Sequence, residues 1–309
     1  MQILGLHHIT AIAGDPRRNL AFYTGVLGLR LVKRTVNFDD PHTYHLYYGD
    51  RVGTPGSILT FFPWADLPRG HIGTGQASAT AFSVGPDALS FWEQRRQAHG
   101  VATSGSHPRY GEAVLAFADP DGLVLELVAT REPDARPPWA HPEIPVEHGL
   151  RGFHSVTLAV RDATPTAQLL GSTMGHREIR REGNRVRYTI ADGGPGTYVD
   201  LLADPSLPSG RPGTGTVHHV AFRTPATETQ LAARRELLVL GYDVSPPLDR
   251  NYFHSIYYRE PDGILLEIAT DPPGFAVDEP IESLGTALKL PAPYEPHRAE
   301  IEAALPKLR

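Results

Sequence analysis

The sequence predicts an α+β chain in which one unit recurs four times: a strand, a helix, then several strands. Three observations predict it. Two stretches match closely, FADPDGLVLELVAT (Phe117–Thr130) and YREPDGILLEIATD (Tyr258–Asp271). Each is a Pro-Asp-Gly turn feeding an apolar run with one Glu inside it, and each follows a matching strand and helix. The interval between the first-strand and last-strand landmarks of each unit is also nearly constant.

In the first unit, HITAIA (His8–Ala13) reads as a strand, Asp15 caps a helix with Pro16 in its first turn, and GSILTFF (Gly56–Phe62) reads as the last strand. The second unit begins with ATAFSV (Ala79–Val84). A helix over 86–99 carries Leu89, Phe91 and Trp92, ends at Gly100, and leads to the first quoted stretch. The third has SVTLAV (Ser155–Val160), a short helix near 164–174, and GTYVDLL (Gly196–Leu202). The fourth has HVAFRT (His219–Thr224), a helix over 225–240 with Leu231, Leu237, Leu238 and Leu240, then Gly241 and the second quoted stretch. Gly122 and Gly263 suit the tight turns.

Aligning the units makes His8, Ala79, Ser155 and His219 equivalent first-strand anchors. Thr60, Glu126, Asp200 and Glu267 are the last-strand anchors, spaced 52, 47, 45 and 48 residues from the first. Such regularity is the mark of an internal repeat. The expected organisation is an N-terminal half of two units (1–130), a linker rich in Pro and charge (131–148), a C-terminal half of two units (149–272), and a tail (273–309). The tail should end in a short amphipathic helix near 296–305 and pack on the surface.

Bulk composition narrows the class of protein. The 309 residues are 40% hydrophobic and 21% charged, as a globular protein requires. A net charge of -6 and the lack of a basic run with interleaved aromatics argue against nucleic-acid binding. No apolar stretch reaches the roughly 18 residues that cross a bilayer, and no basic-then-apolar leader opens the chain. The absence of Cys excludes disulfides, thiolate ligands and thiol nucleophiles. A cytoplasmic protein is expected.

Equivalent strand positions face the same way, because side chains alternate with period two. Pairing the first unit with the fourth therefore collects His8, His219 and Glu267 on one concave face. Two imidazoles and one carboxylate are the set that holds non-haem iron and leaves positions open. First with second gives one His and one acid, third with fourth gives one His and two acids, and second with third gives no His. His154 precedes its anchor by one residue, so a regular strand turns it to the other face. Glu126 has the context of Glu267 but no imidazole partners, so it is read as solvent-facing, paired, or left from a lost site. An unpaired buried carboxylate would be costly.

These motifs resemble the vicinal oxygen chelate superfamily, built of βαβββ modules paired into mixed-sheet half-barrels. FYTGVLGLRLVKRTVNFDD (Phe22–Asp40) is similar to its first-module helix and second strand. GLHHIT, TGTVHHVAF and DRNYFHSIYYREPDGILLEIATD (Asp249–Asp271) more narrowly resemble ring-cleaving dioxygenases that open hydroquinones. The resemblance implies Fe(II) on His8, His219 and Glu267, with an aromatic diol and O2 as reactants. It implies catalytic roles for Tyr257 and His218, and substrate-binding roles for His7, Thr10 and Arg250. Strand parity requires a bulge, or contact through another residue, if His7 and His218 are to join their neighbours. The resemblance assigns no role to His254 and leaves homo-oligomerisation open. Two rival readings belong to the same scaffold. A glyoxalase-like lyase or isomerase would want a second carboxylate where Thr60 stands. A small-molecule sequestering protein would need no such triad.

Overall fold

The computed structural model describes residues 1–131 and 133–308. The first module comprises β1 (Gly5–Ala13), α1 (Pro16–Leu20), β2 (Arg30–Asn37), β3 (Asp40–Gly49) and β4 (Ile58–Pro63). The second comprises β5 (Gln76–Val84), α2 (Leu89–Ala98), β6 (Thr103–Arg109), β7 (Glu112–Ala118) and β8 (Val124–Ala129). The third comprises β9 (Phe153–Val160), α3 (Ala163–Gln168), β10 (Arg177–Glu182), β11 (Arg185–Thr189) and β12 (Tyr198–Ala203). The fourth comprises β13 (Thr216–Thr224), α4 (Thr227–Val239), β14 (Leu248–Asp249), β15 (Phe253–Arg259) and β16 (Leu265–Pro273). The α+β fold with four βαβββ modules is as the sequence predicts.

Local chemistry accounts for the element ends. The Asp15 carboxylate accepts from the backbone N–H groups of Arg17 and Arg18, which fixes the start of α1. α1 and α3 each run on into a π-helical turn, Ala21–Val26 and Leu169–Thr173, at equivalent places in their modules. Gly122 and Gly263 adopt φ of +96° and +101°, which a side chain would resist, and so close the two Pro-Asp-Gly turns.

Two eight-stranded curled sheets form the half-barrels. One has the order β14-β15-β16-β13-β1-β4-β3-β2, and the other β10-β11-β12-β9-β5-β8-β7-β6. Each sheet thus takes one module from each half of the sequence: the first with the fourth, the second with the third. Within every module the first and last strands are parallel, and they share one register. Thr10 lies opposite Thr60, Ala81 opposite Glu126, Thr157 opposite Asp200, and Ala221 opposite Glu267. In all four cases the last-strand anchor faces the residue two beyond the first-strand anchor.

The antiparallel seams β1–β13 and β5–β9 are irregular. Their registers skip His7 and His218 in one sheet, and Ser78 and His154 in the other. Each skipped residue immediately precedes an anchor, so β-bulges replace simple alternation there. This corrects the parity argument for His154. Its Nδ1 meets the anchor Ser155 Oγ at 3.1 Å, so it is not turned away. What separates it from His8 is its place in the other sheet.

Among the described residues the second sheet has no imidazole pair beside its carboxylates; guanidinium groups stand there. Glu126 is buried and paired with Arg109 at 2.6 and 2.7 Å. Buried Asp200 is held by Arg187 at 2.8 and 3.1 Å. Arg187 also reaches Glu112 at 2.9 Å, and His154 lies 3.3 Å from the same carboxylate. Glu126 is therefore a paired residue.

The tail does more than lie on the surface. Lys33 of β2 is fully buried and held at 2.5 Å by both Asp278 and Glu279. The Tyr294 hydroxyl donates to the Phe38 carbonyl. A helix, α5 (Arg298–Ala304), follows a 3-10 turn over Ala292–His297, and Ile301 and Leu305 join the core. Among the described residues no helix is long and apolar enough to cross a membrane.

Removing one partner of a buried ion pair strands the other charge. Arg187→Met should therefore lower stability by about 3 to 5 kcal/mol in urea unfolding. It should leave the divalent-metal content unaltered, because the change lies wholly in the second sheet.

Candidate metal centre

The site is built where β1 and β13 cross the middle of the first sheet. His8 pairs with Ala221 and His219 with Thr10, so the two imidazoles are related by the local two-fold of the seam. β16 runs beside β13 and brings Glu267 onto the same face. Glu267 Oε2 lies 3.0 Å from His219 Nε2 and 3.3 Å from His8 Nε2. The two nitrogens are 3.2 Å apart. Among the described residues this is the one group of three His, Cys, Asp or Glu placed to hold a metal ion.

The spacing fits a cation. Ligand atoms about 2.1 Å from a metal and about 90° apart stand about 3.0 Å from one another. Glu267 Oε2 is buried and makes no hydrogen bond, although two imidazole nitrogens face it. Its other oxygen, Oε1, accepts from Ser255 Oγ at 2.5 Å. An orphaned carboxylate oxygen beside two nitrogens is an arrangement that a metal ion completes. Burial works to raise the Glu267 pKa, but the neighbouring imidazoles of His8 and His219 outweigh it and hold the carboxyl well below its ordinary range. Burial lowers the His219 pKa against the pull of Glu267. Both groups thus favour their deprotonated, ligating forms.

The bulged histidines complete the donor set from behind. His7 Nδ1 lies 2.9 Å from His8 Nδ1, and His218 Nδ1 lies 2.8 Å from His219 Nδ1. An imidazole that ligates through Nε2 carries its proton on Nδ1 and donates it outward. His7 and His218 are the acceptors, in the same geometry on both strands. The bulge is what lets adjacent residues meet.

The centre opens into a cavity of about 410 Å³. Phe62, Trp64, Phe253 and Leu265 supply apolar walls, while His45, Tyr47, Arg250 and Tyr257 supply polar groups. Tyr257 packs edge-on to His219, with ring centres 5.6 Å apart. Burial raises its pKa, so its hydroxyl keeps the proton. Arg250 lies over the rings of Phe38 and Tyr257, at 5.8 and 5.5 Å, and meets exposed Asp39 at 3.4 Å.

Of the residues expected here, His8, His219, Tyr257, His218 and Arg250 line the cavity, and Glu267 closes its floor behind them. His7 and Thr10 do not line it. His7 stands behind His8, and Thr10 bonds Thr60 at 3.0 Å. Each is separated from the cavity by a neighbour, because the seam buries them beneath the anchors. His254 lies under α4, 3.4 Å from Thr227 Oγ1, and is no part of the cavity. The sequence reading overlooked Ser255, Phe253, His45 and Tyr47. Ser255 was open to discovery, since it shares a face with Tyr257 two residues on. Phe253, 4.9 Å from the His8 ring, left no such trace.

This βαβββ architecture with an open metal-fitting face defines a class, and sequence comparison agrees. The chain belongs to the Glyoxalase/Bleomycin resistance protein/Dioxygenase superfamily, whose family model matches residues 5–127 and 152–268. It is 48% identical to the "Putative ring-cleaving dioxygenase MhqO" of Bacillus subtilis (strain 168), covering 98% of this chain and 96% of that protein. It is 34% identical to the chlorohydroquinone/hydroquinone 1,2-dioxygenase of Sphingobium indicum, covering 97% and 95%. A crystal structure of a "putative dioxygenase" from Bacillus subtilis superimposes with a TM-score of 0.95 at 47% identity, covering 100% of this chain and 99% of that one.

Residues that orient metal-binding histidines commonly contribute 10- to 100-fold in affinity. His7→Leu and His218→Leu should each weaken divalent-metal binding by about that factor in a competitive chelator titration. The ligand set itself stays intact in both variants.

Proposed function

We propose that the protein is an Fe(II)-dependent ring-cleaving dioxygenase that inserts O2 into a hydroquinone-type aromatic diol. The observation that carries this reading is the facing of His8 Nε2, His219 Nε2 and Glu267 Oε2 at 3.0 to 3.3 Å, at the floor of an aromatic-lined cavity. The similarity to a chlorohydroquinone/hydroquinone dioxygenase over nearly the whole chain supports the substrate class. Iron(II) bound there would supply the redox chemistry that activates O2, and would acidify a coordinated phenol.

The chain's own groups do the rest. Phe62, Trp64 and Phe253 exclude water from the ring and hold it by apolar contact. The protonated Tyr257 hydroxyl donates to a substrate oxygen near His219. His218 accepts from His219 through Nδ1 and so carries its own proton on Nε2, which can donate a hydrogen bond to a bound diol oxygen. Arg250 bears on the ring's substituents, although Asp39 already neutralises part of its charge. Thr60 bonds His45 and offers no second carboxylate, which supports a dioxygenase over a lyase or isomerase.

Replacing His8, His219 or Glu267 with Ala should lower iron occupancy and abolish O2 uptake. His154→Ala should keep its metal. Full iron loading and activity in His8→Ala would sink the proposed ligand set.

Tyr257→Phe should retain iron while transition-state stabilisation falls by about 2 to 4 kcal/mol. Arg250→Ala should raise KM for anionic substrates more than it lowers kcat. Iron-loaded enzyme, mixed anaerobically with hydroquinone or catechol and then given O2, should open hydroquinone faster by product spectra. Faster opening of catechol, with Tyr257→Phe silent, would refute the hydroquinone assignment.

A further inference from the structure

The repeat extends beyond the ligand positions. Tyr257 lies opposite Glu267 in the β15–β16 pairing. Tyr47 lies opposite Thr60, the equivalent of Glu267, in the β3–β4 pairing. Tyr47 and Tyr257 are therefore equivalent residues of the two modules that share the sheet. Cross-strand partners share a face, and both tyrosines line the cavity. Tyr47 is 1% exposed, against 2% for His8, so it belongs to the cavity floor and not to its mouth.

The residues behind the two tyrosines differ. Ser255, two before Tyr257, holds the Glu267 carboxylate. His45, two before Tyr47, bonds Thr60 Oγ1 through Nε2 at 2.7 Å, and its Nδ1 meets the Tyr47 hydroxyl at 2.8 Å. Thr60 in turn bonds Thr10 at 3.0 Å. A buried chain of four side chains thus ends at a phenol in the cavity.

That chain reads in two directions. Burial holds His45 neutral and keeps the proton on Tyr47. A neutral imidazole has one donor and one acceptor nitrogen, and each hydroxyl serves as either. With the proton on Nε2, His45 donates to Thr60. Tyr47 then donates to Nδ1, and its oxygen accepts from a ligand hydroxyl. With the proton on Nδ1, His45 donates to Tyr47, whose hydroxyl donates to a ligand oxygen. Both an aromatic hydroxyl and an aromatic oxyanion are matched. Tyr257 packs on His219, whereas the ring contacts of Tyr47 run to His45, Tyr252, Phe253 and Phe275. Phe253 packs on both Tyr47 and His8, with ring centres at 6.5 and 4.9 Å, so Tyr47 stands one ring further from the centre than Tyr257 does.

We propose that Tyr47, backed by the His45–Thr60–Thr10 chain, is a second substrate-oxygen contact. It holds the diol oxygen that is not engaged at the His8–His219–Glu267 centre. The inference rests on the aromatic-diol reading above.

Anaerobic calorimetric titration of the metal-loaded protein with hydroquinone and with phenol tests it, because phenol lacks the second oxygen. Wild type should bind hydroquinone about tenfold tighter than phenol. Tyr47→Phe should bring the ratio to about two with metal content unchanged. Thr60→Val, which breaks the chain without touching the phenol, should lower the ratio to an intermediate value. Tyr257→Phe should weaken both ligands alike. A tenfold ratio that persists in Tyr47→Phe overturns the assignment. Should that variant fail to fold, persistence in Thr60→Val does the same. If wild type binds neither ligand, the diol reading itself fails and this inference falls with it.

Discussion

The antiparallel pairing of β1 with β13 is the constraint on which the rest depends. It joins residues more than two hundred positions apart and relates them by a local two-fold. His8 and His219 can face one another only because that seam places each opposite the other's second neighbour. The two bulges are equally required. They let His7 and His218 meet the Nδ1 atoms of the residues they precede, which fixes both imidazoles with Nε2 inward.

The second sheet shows what the same backbone does without the histidines. Its carboxylates occupy the same register, yet arginines hold them. A buried carboxylate needs a compensating positive charge. In one sheet covalent side chains supply it. In the other, two imidazoles face the carboxylate at a spacing that fits a cation. The difference is chemical and not architectural, since strand order and bulge positions coincide.

Much of this was legible in the sequence, because the repeat is written in apolar runs and turn residues whose spacing survives duplication. The anchors and the choice of first unit with fourth followed from counting residue types at equivalent places. The bulges entered only as a condition on His7 and His218, since alternation is the only rule a lone strand offers, and His154 was misjudged for that reason. The resemblance expects His7 and Thr10 at the substrate, whereas the seam stands them behind His8 and against Thr60, a placement that a motif cannot give. Tyr47 was within reach. LYYGD and IYYRE are copies of each other, but only strand register shows that they face the same site. The tail's hold on Lys33 left no trace, because a charge in a strand reads as exposed until its partners are known.

The sharing of each sheet between the two halves of the chain bears on how the molecule is made. During synthesis β1 and β5 emerge early, each with one neighbour from its own module. Their other edges stay open until β13 and β9 follow, and β1 waits while more than two hundred residues are added. Open edges invite pairing with other chains, and seams between distant segments close slowly. A nascent chain released early would therefore carry two adhesive strands, and could complete them only by borrowing from a second copy.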